Sequence, residues 1–259
     1  MNKYFYLTLF CFLFISTGKA YSQEYTHSFS NQADHVLIFT ISQGNLSVES
    51  YSGSSIIVQS DNYREPPPRA EGLRSLFSGG PDNTGIGLTV EESGNRVNMA
   101  SVQPRSGDYH LRVPDSIRLV IQQASMATGN IELTGHRGEI EIGGKVGNIT
   151  LKDITGPVNA NSVSGNIDIE FSELSQERPT SISSMSGFID ITLPENTPAR
   201  FHLQSMSGGI YSDIDLDIAG RRSDLTRMGG GNRINGMMNG GGVEIRLQAM
   251  SGDIFLRKK

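Results

Sequence analysis

The chain has 259 residues, with 27 acidic and 22 basic side chains, a formal net charge of −5, one cysteine, no tryptophan and 30 glycines. One cysteine excludes an intramolecular disulfide framework and a cysteine-clustered zinc or iron–sulfur centre. The acidic balance offers no basic field for nucleic acid, and glycine usage above the average of about 7% predicts many turns without the strict triplet of collagen.

Residues 1–22 read as an address rather than as fold. Lys3 precedes an apolar run from Tyr4 to Ser16, and small residues follow at Gly18, Ala20 and Ser22. This is the plan of a secretory signal peptide, cleaved after Ala20 or Ser22, and its apolar run is short for a bilayer span. Cys11 follows bulky Phe10 rather than the small residues of a lipoprotein signal. The remaining chain, residues 23–259, is expected to be one exported domain without a transmembrane helix, located in the periplasm, on the outer envelope or outside the cell.

Strands are predicted at Val36–Ile41, Gly44–Val48 and Ser55–Gln59, where apolar and β-branched residues cluster or alternate. The pattern breaks in a Pro/Gly-rich insertion at about 63–85, which holds Pro66-Pro67-Pro68 and Gly79-Gly80-Pro81. Within it Leu73, Leu76 and Phe77 have the spacing of a short amphipathic turn, and the whole reads as a surface loop or a docking element. Strands resume at Gly87–Val90, Arg96–Met99 and Tyr109–Pro114.

From Gly129 onward the chain repeats. Gly129, Gly138, Gly147, Gly156 and Gly165 are each nine residues apart, and four of them open a glycine–polar–apolar–polar–apolar phrase such as Gly165-Asn166-Ile167-Asp168-Ile169. The phrase returns at Gly187 and Gly252 and, shortened, at Gly208, preceded by Ser-Met-Ser or its variants. A glycine-rich irregular segment is expected at about 219–242. One such unit cannot bury its apolar stripe alone; stacking units side by side can. An antiparallel meander accepts nine-residue spacing, but its alternate turns face opposite ends, whereas this phrase always runs in one sense. The prediction is therefore an all-β chain folded as a parallel β-helix-like solenoid, about 18–22 residues and two short strands per coil, with negligible helix after the signal peptide. Ile140, Ile149, Ile167 and Ile189 should point inward.

The run Leu111-Arg112-Val113-Pro114, the Gly-Asn-Ile phrases, the Ser-x-Ser-Gly units and the closing Ser251-Gly252-Asp253-Ile254-Phe255-Leu256-Arg257-Lys258 resemble the bacterial "putative adhesin" family of toastrack-type envelope domains. The resemblance spans roughly residues 33–258 and omits the 63–85 insertion. It implies a β-solenoid-like fold and an exported envelope protein with no known catalysis, and carries over no functional residues.

Glu132, Asp168 and Asp190 share one polar slot of the phrase, so stacking would set Asp168 beside Asp190 at about 5 Å. Paired carboxylates can hydrolyse glycosides, but an outer strand face more commonly carries acids for solubility. The five histidines are scattered, the glycine runs lack the lysine of a phosphate loop, and no Gly-x-Ser-x-Gly elbow occurs. Val163, Met185, Met206 and Met250 share another position and are expected to fill a coil corner, with an exposed adhesive stripe as the alternative. No catalytic, cofactor or metal site is predicted. The reading is a non-enzymatic envelope protein offering a repetitive β surface to an envelope protein, a glycan or its own copies. A carbohydrate-active solenoid enzyme built on the acid ladder and an envelope-stress sensing module are the alternatives.

Overall fold

The computed structural model describes residues 23–29, 34–63, 65, 67–70, 73, 79–103, 107–124, 128–218, 226–227 and 232–259. The expected leader lies outside these residues, as do Leu76 and Phe77 of the predicted amphipathic turn.

The described strands are, in chain order, β1 (Gln23–Ser28), β2 (Val36–Ile41), β3 (Leu46–Tyr51), β4 (Ser55–Ser60), β5 (Leu88–Ser93), β6 (Arg96–Ser101) and β7 (Tyr109–Pro114). There follow β8 (Arg118–Gln123), β9 (Ile131–Thr134), β10 (Ile140–Val146), β11 (Ile149–Ile154), β12 (Val158–Ser164), β13 (Ile167–Phe171), β14 (Thr180–Ser186) and β15 (Ile189–Leu193). The last are β16 (Ala199–Ser205), β17 (Ile210–Ser212), β18 (Thr226–Arg227), β19 (Asn232–Met238), β20 (Val243–Ser251) and β21 (Ile254–Lys258). Among the described residues the one helical element is a single 3-10 turn, Pro68–Ala70.

The protein is a β-solenoid of two facing, mostly parallel sheets. The first sheet has the order β1-β4-β7-β3-β9-β11-β13-β15-β21-β17, and the second β18-β19-β16-β20-β14-β12-β10-β8-β2-β6-β5. Each coil gives one strand to each, so the nine-residue glycine spacing is half a coil. Corner partners lie 18 residues apart at Asn148 and Asn166 and 22 apart at Asn166 and Phe188. Alternation turns the isoleucines of the phrase into the shared core, where Ile140, Ile149, Ile167 and Ile189 are at most 1% exposed. Such apolar burial contributes roughly 25 cal/mol per Å² and dominates the stability of a stack like this.

The glycine–asparagine corner has a two-part cause. A Cβ on Gly165 would land on the carbonyl oxygen of Gly147, and Gly165 has φ +137°, so both space and backbone demand glycine. The following asparagine turns its amide oxygen to the next coil: Asn130 Oδ1 accepts the backbone N–H of Asn148 at 3.0 Å, and Asn148 Oδ1 accepts that of Asn166 at 3.0 Å.

Coils do not stack in sequence order at either end. Sequence spacing places the Gly208 unit between those of Gly187 and Gly252. In space β21 lies between β15 and β17, and β20 between β14 and β16. At the other end β2 and β3 lie between β6 and β8 and between β7 and β9. Every coil offers the same apolar slot, so the repeat identifies a strand that fits without saying which neighbour it meets. Antiparallel strands cover three of the four sheet ends: β19 pairs with β16, β5 with β6, and β4 with both β7 and β1, while β17, parallel to β21, ends the first sheet among the described residues. Capping of this kind occupies edges that would otherwise invite another chain. Strand β19 lies within the glycine-rich 219–242 segment. In the 63–85 insertion Asp82 ties the described turn down, accepting N–H bonds from Thr84, Gly85 and Gly87 at 2.9–3.0 Å.

Candidate interaction surface

Strand alternation that sends the isoleucines inward sends the residue between them outward. On the first sheet this builds one cross-strand row, Glu132, Thr150, Asp168, Asp190, Phe255 and Tyr211, each abreast of the next. Asp168 and Asp190 are direct neighbours. Glu132 is in the same row but separated from Asp168 by Thr150. Glu141, the acid of the alternate strand, lies on the second sheet, where Arg118 Nη2 donates to it at 3.2 Å.

The acids do not stand on a flat, fully wetted face. Arg257, two residues beyond Phe255, donates Nε to both carboxylate oxygens of Asp190 at 2.9 Å, and the Asp190 side chain is only 18% exposed. Burial, followed by the Asp190 charge, holds the Asp168 carboxyl above its ordinary value, with Arg257 opposing. Asp168 has no hydrogen-bond partner among the described residues. Thr150, Lys152, Asp168, Glu170, Asp190, Thr192 and Arg257 line a shallow depression of about 220 Å³ around the pair. Arg257 reaches across the row, from the Phe255 ring to the Asp190 carboxylate.

Beside the depression is an aromatic group that the acids alone did not reveal. Tyr211 stacks on Phe255 with centroids 5.4 Å apart and planes 16° apart, and Phe188 meets Phe255 edge-on at 5.9 Å. Arg257 lies 5.7 Å over the Phe255 ring, and Tyr211 is 56% exposed. The signal was present in the sequence: Phe255 and Tyr211 occupy the outward slot that Asp168 and Asp190 hold in their own phrases.

A second outward feature runs along the corner of the other sheet. Val163, Met185, Met250 and Met206 are 41%, 55%, 48% and 43% exposed, so they do not fill the corner. Its interior is taken by small residues, Ser162, Ser184, Ala249 and Ser205, all at most 5% exposed. The alternation that turns Ser184 inward turns Met185 to solvent.

The histidines stay apart. His136 is fully buried; its Nε2–H donates to the carbonyl of Ile117 at 2.9 Å and its Nδ1 accepts the Ser50 hydroxyl at 2.7 Å, which fixes the neutral tautomer. His110 meets Asp61 at 2.8 Å and His202 meets Asn235 at 2.9 Å. Among the described residues no group of three or more His, Cys, Asp or Glu is placed to hold a metal ion.

The model of the Toastrack DUF4097 family matches residues 16–257. A "putative cell adhesion protein" from Clostridium sporogenes is similar in structure, with a TM-score of 0.47 at 12% identity over 92% of this chain and 100% of that one. A "putative adhesin" from Bacteroides fragilis gives 0.41 at 11% identity, covering 91% of this chain and 97% of that one. Another from Parabacteroides distasonis gives 0.34 at 11%, covering 92% and 98%. No curated protein matches the chain.

Proposed function

The chain belongs to the Toastrack DUF4097 family, and from this membership and its surface we propose that it is an exported, non-enzymatic envelope protein whose outer sheet face serves adhesion or scaffolding. The observation that carries the reading is the row in which the Asp168–Asp190 pair adjoins the Phe255–Tyr211 stack, with Arg257 contacting both halves. Tyrosine, phenylalanine and arginine are enriched where proteins meet partners, because they bury large areas and still offer polar tips. The leader-like segment at residues 1–22 supports export. No described helix is long and apolar enough to cross a membrane.

The same geometry argues against a paired-acid hydrolase. Both oxygens of Asp190 are committed to Arg257, which leaves one open carboxylate where glycoside hydrolysis by this route uses two.

The test has two parts. Intact-mass analysis of protein recovered from the envelope or medium should show a start at Gln23 or Tyr21. Purified protein should sediment with isolated envelopes, and Tyr211→Asp should release it. Full-length protein confined to the cytoplasm would contradict export, and sedimentation unaffected by Tyr211→Asp would contradict this face.

A further inference from the structure

The Met185–Met250–Met206 ladder is a run of three thioethers on adjacent parallel strands. Met185 lies between the paired residues Ser184–Ala249 and Ser186–Ser251, so it stands abreast of Met250. Met206 follows Ser205, which pairs with Ala249, and its N–H donates to the Ala249 carbonyl at 3.0 Å. Met250 therefore sits in the centre with one methionine on each side. All three are about half exposed.

Exposure calls for an explanation that apolarity alone does not give. An apolar partner would be served equally by leucine or isoleucine, which fill the core of this chain. What the three positions share is a sulfur. Adjacent strands are about 4.8 Å apart, and methionine has an unbranched side chain with three rotatable bonds. Three neighbouring thioethers on such side chains are within reach of one ion.

The rows on either side carry no carboxylate and no imidazole. Asn161, Ser183, Gln248 and Gln204 form the row before the ladder, closed by Arg233, whose Nη2 donates to Gln204 Oε1 at 3.1 Å, and Ser164, Ser186 and Ser251 form the row after it. Such a site offers little to hard divalent ions, which take carboxylates, and much to a soft monovalent ion, which takes thioethers. Val163 continues the ladder beyond Met185, and Lys145, abreast of it, ends it.

We propose that Met185, Met250 and Met206 form a surface site for one soft monovalent cation of the Cu(I) or Ag(I) type. The site is separate from the acid–aromatic face and does not depend on the role assigned to that face. Binding is simple coordination, with no change in oxidation state.

The experiment titrates the full chain with Ag(I) by native mass spectrometry and, without oxygen, with Cu(I) against a chromophoric Cu(I) chelator. Chain labelled with carbon-13 at the methionine methyls reports which sulfurs respond. The expected result is one ion per chain, with the methyls of Met185, Met250 and Met206 shifting together. Met250→Leu keeps the apolar surface but removes the central sulfur and leaves two thioethers on strands about 10 Å apart, and should weaken binding by about tenfold or more. Val163→Met extends the ladder and should tighten it. No binding by the parent chain, shifts confined to other methionines, or equal affinity in Met250→Leu would each overturn the proposal. Circular dichroism of the Met250→Leu chain should match the parent, and Met185→Leu with Met206→Leu gives a second route to the same loss.

Discussion

The backbone N–H of Ile189 donates to the carbonyl of Asp253 at 3.0 Å, although the chain between them builds a further coil and its antiparallel cover. The C-terminal strand is thus an interior member of the first sheet, with β15 on one side and β17 on the other. In most solenoids the last strand is a terminal edge that opens first.

The inserted strand should resist opening as the centre does. Amide exchange at Ile254, whose N–H donates to the Gly209 carbonyl at 3.0 Å, should be as slow as at Ile167. Deletion of Val243–Lys259 should abolish the cooperative transition of the whole stack rather than trim one end. Rapid exchange at Ile254, measured by hydrogen–deuterium exchange, would contradict the insertion.

The glycine ladder makes a paired prediction. Gly165→Ala puts a Cβ against the Gly147 carbonyl at φ +137° and should cost about 2–4 kcal/mol in urea unfolding. Gly143→Ala has no atom within 4 Å of the added carbon and no left-handed φ, so it should leave stability nearly unchanged.

Period-2 alternation around Ile149, Ile167 and Ile189 made the solenoid and its inward face legible, because burial acts on each strand separately. The order of coils was not legible, since Gly187, Gly208 and Gly252 open interchangeable phrases. Strands β1 and β8 also escaped: Gln23–Ser28 is mostly polar, and Arg118–Gln123 lacks a leading glycine. Asp168 and Asp190 could be placed side by side from their shared slot. Arg257 could not be added, because nothing in its spacing says that β21 enters beside β15.

His136 should give the protein a defined acid sensitivity. Burial pushes its imidazole down to about 4 from the ordinary 6.5. The unfolded chain takes up the proton below about pH 6.5 while the folded chain refuses it until about pH 4, so this contribution is present above the unfolded value and is lost as pH falls through that window. The loss is on the order of 3 kcal/mol. His136→Gln can donate to Ile117 and accept from Ser50, and urea midpoints between pH 4 and 6.5 should become flatter. An unchanged slope would mean that another group carries the acid sensitivity.

The Asp168 carboxyl is raised by burial and by Asp190, so its charge opposes folding at neutral pH. Asp168→Asn should stabilise at pH 7, and the advantage should disappear as pH falls through the raised Asp168 value. Arg257→Gln removes the opposing cation and should raise Asp168 further, as read by carboxyl carbon NMR titration. A downward move would contradict the assigned electrostatics.

If the Asp168–Asp190–Phe255–Tyr211 face meets the partner, photo-crosslinking in the producing cell will capture the contact. A photoreactive phenylalanine analogue at Tyr211 should yield a discrete adduct with an envelope protein or glycan, and the same probe at Arg96, on the outer side of the second sheet near its far edge, should yield none. Adducts at Arg96 with none at Tyr211 would put the contact on the second sheet and exclude the acid–aromatic face.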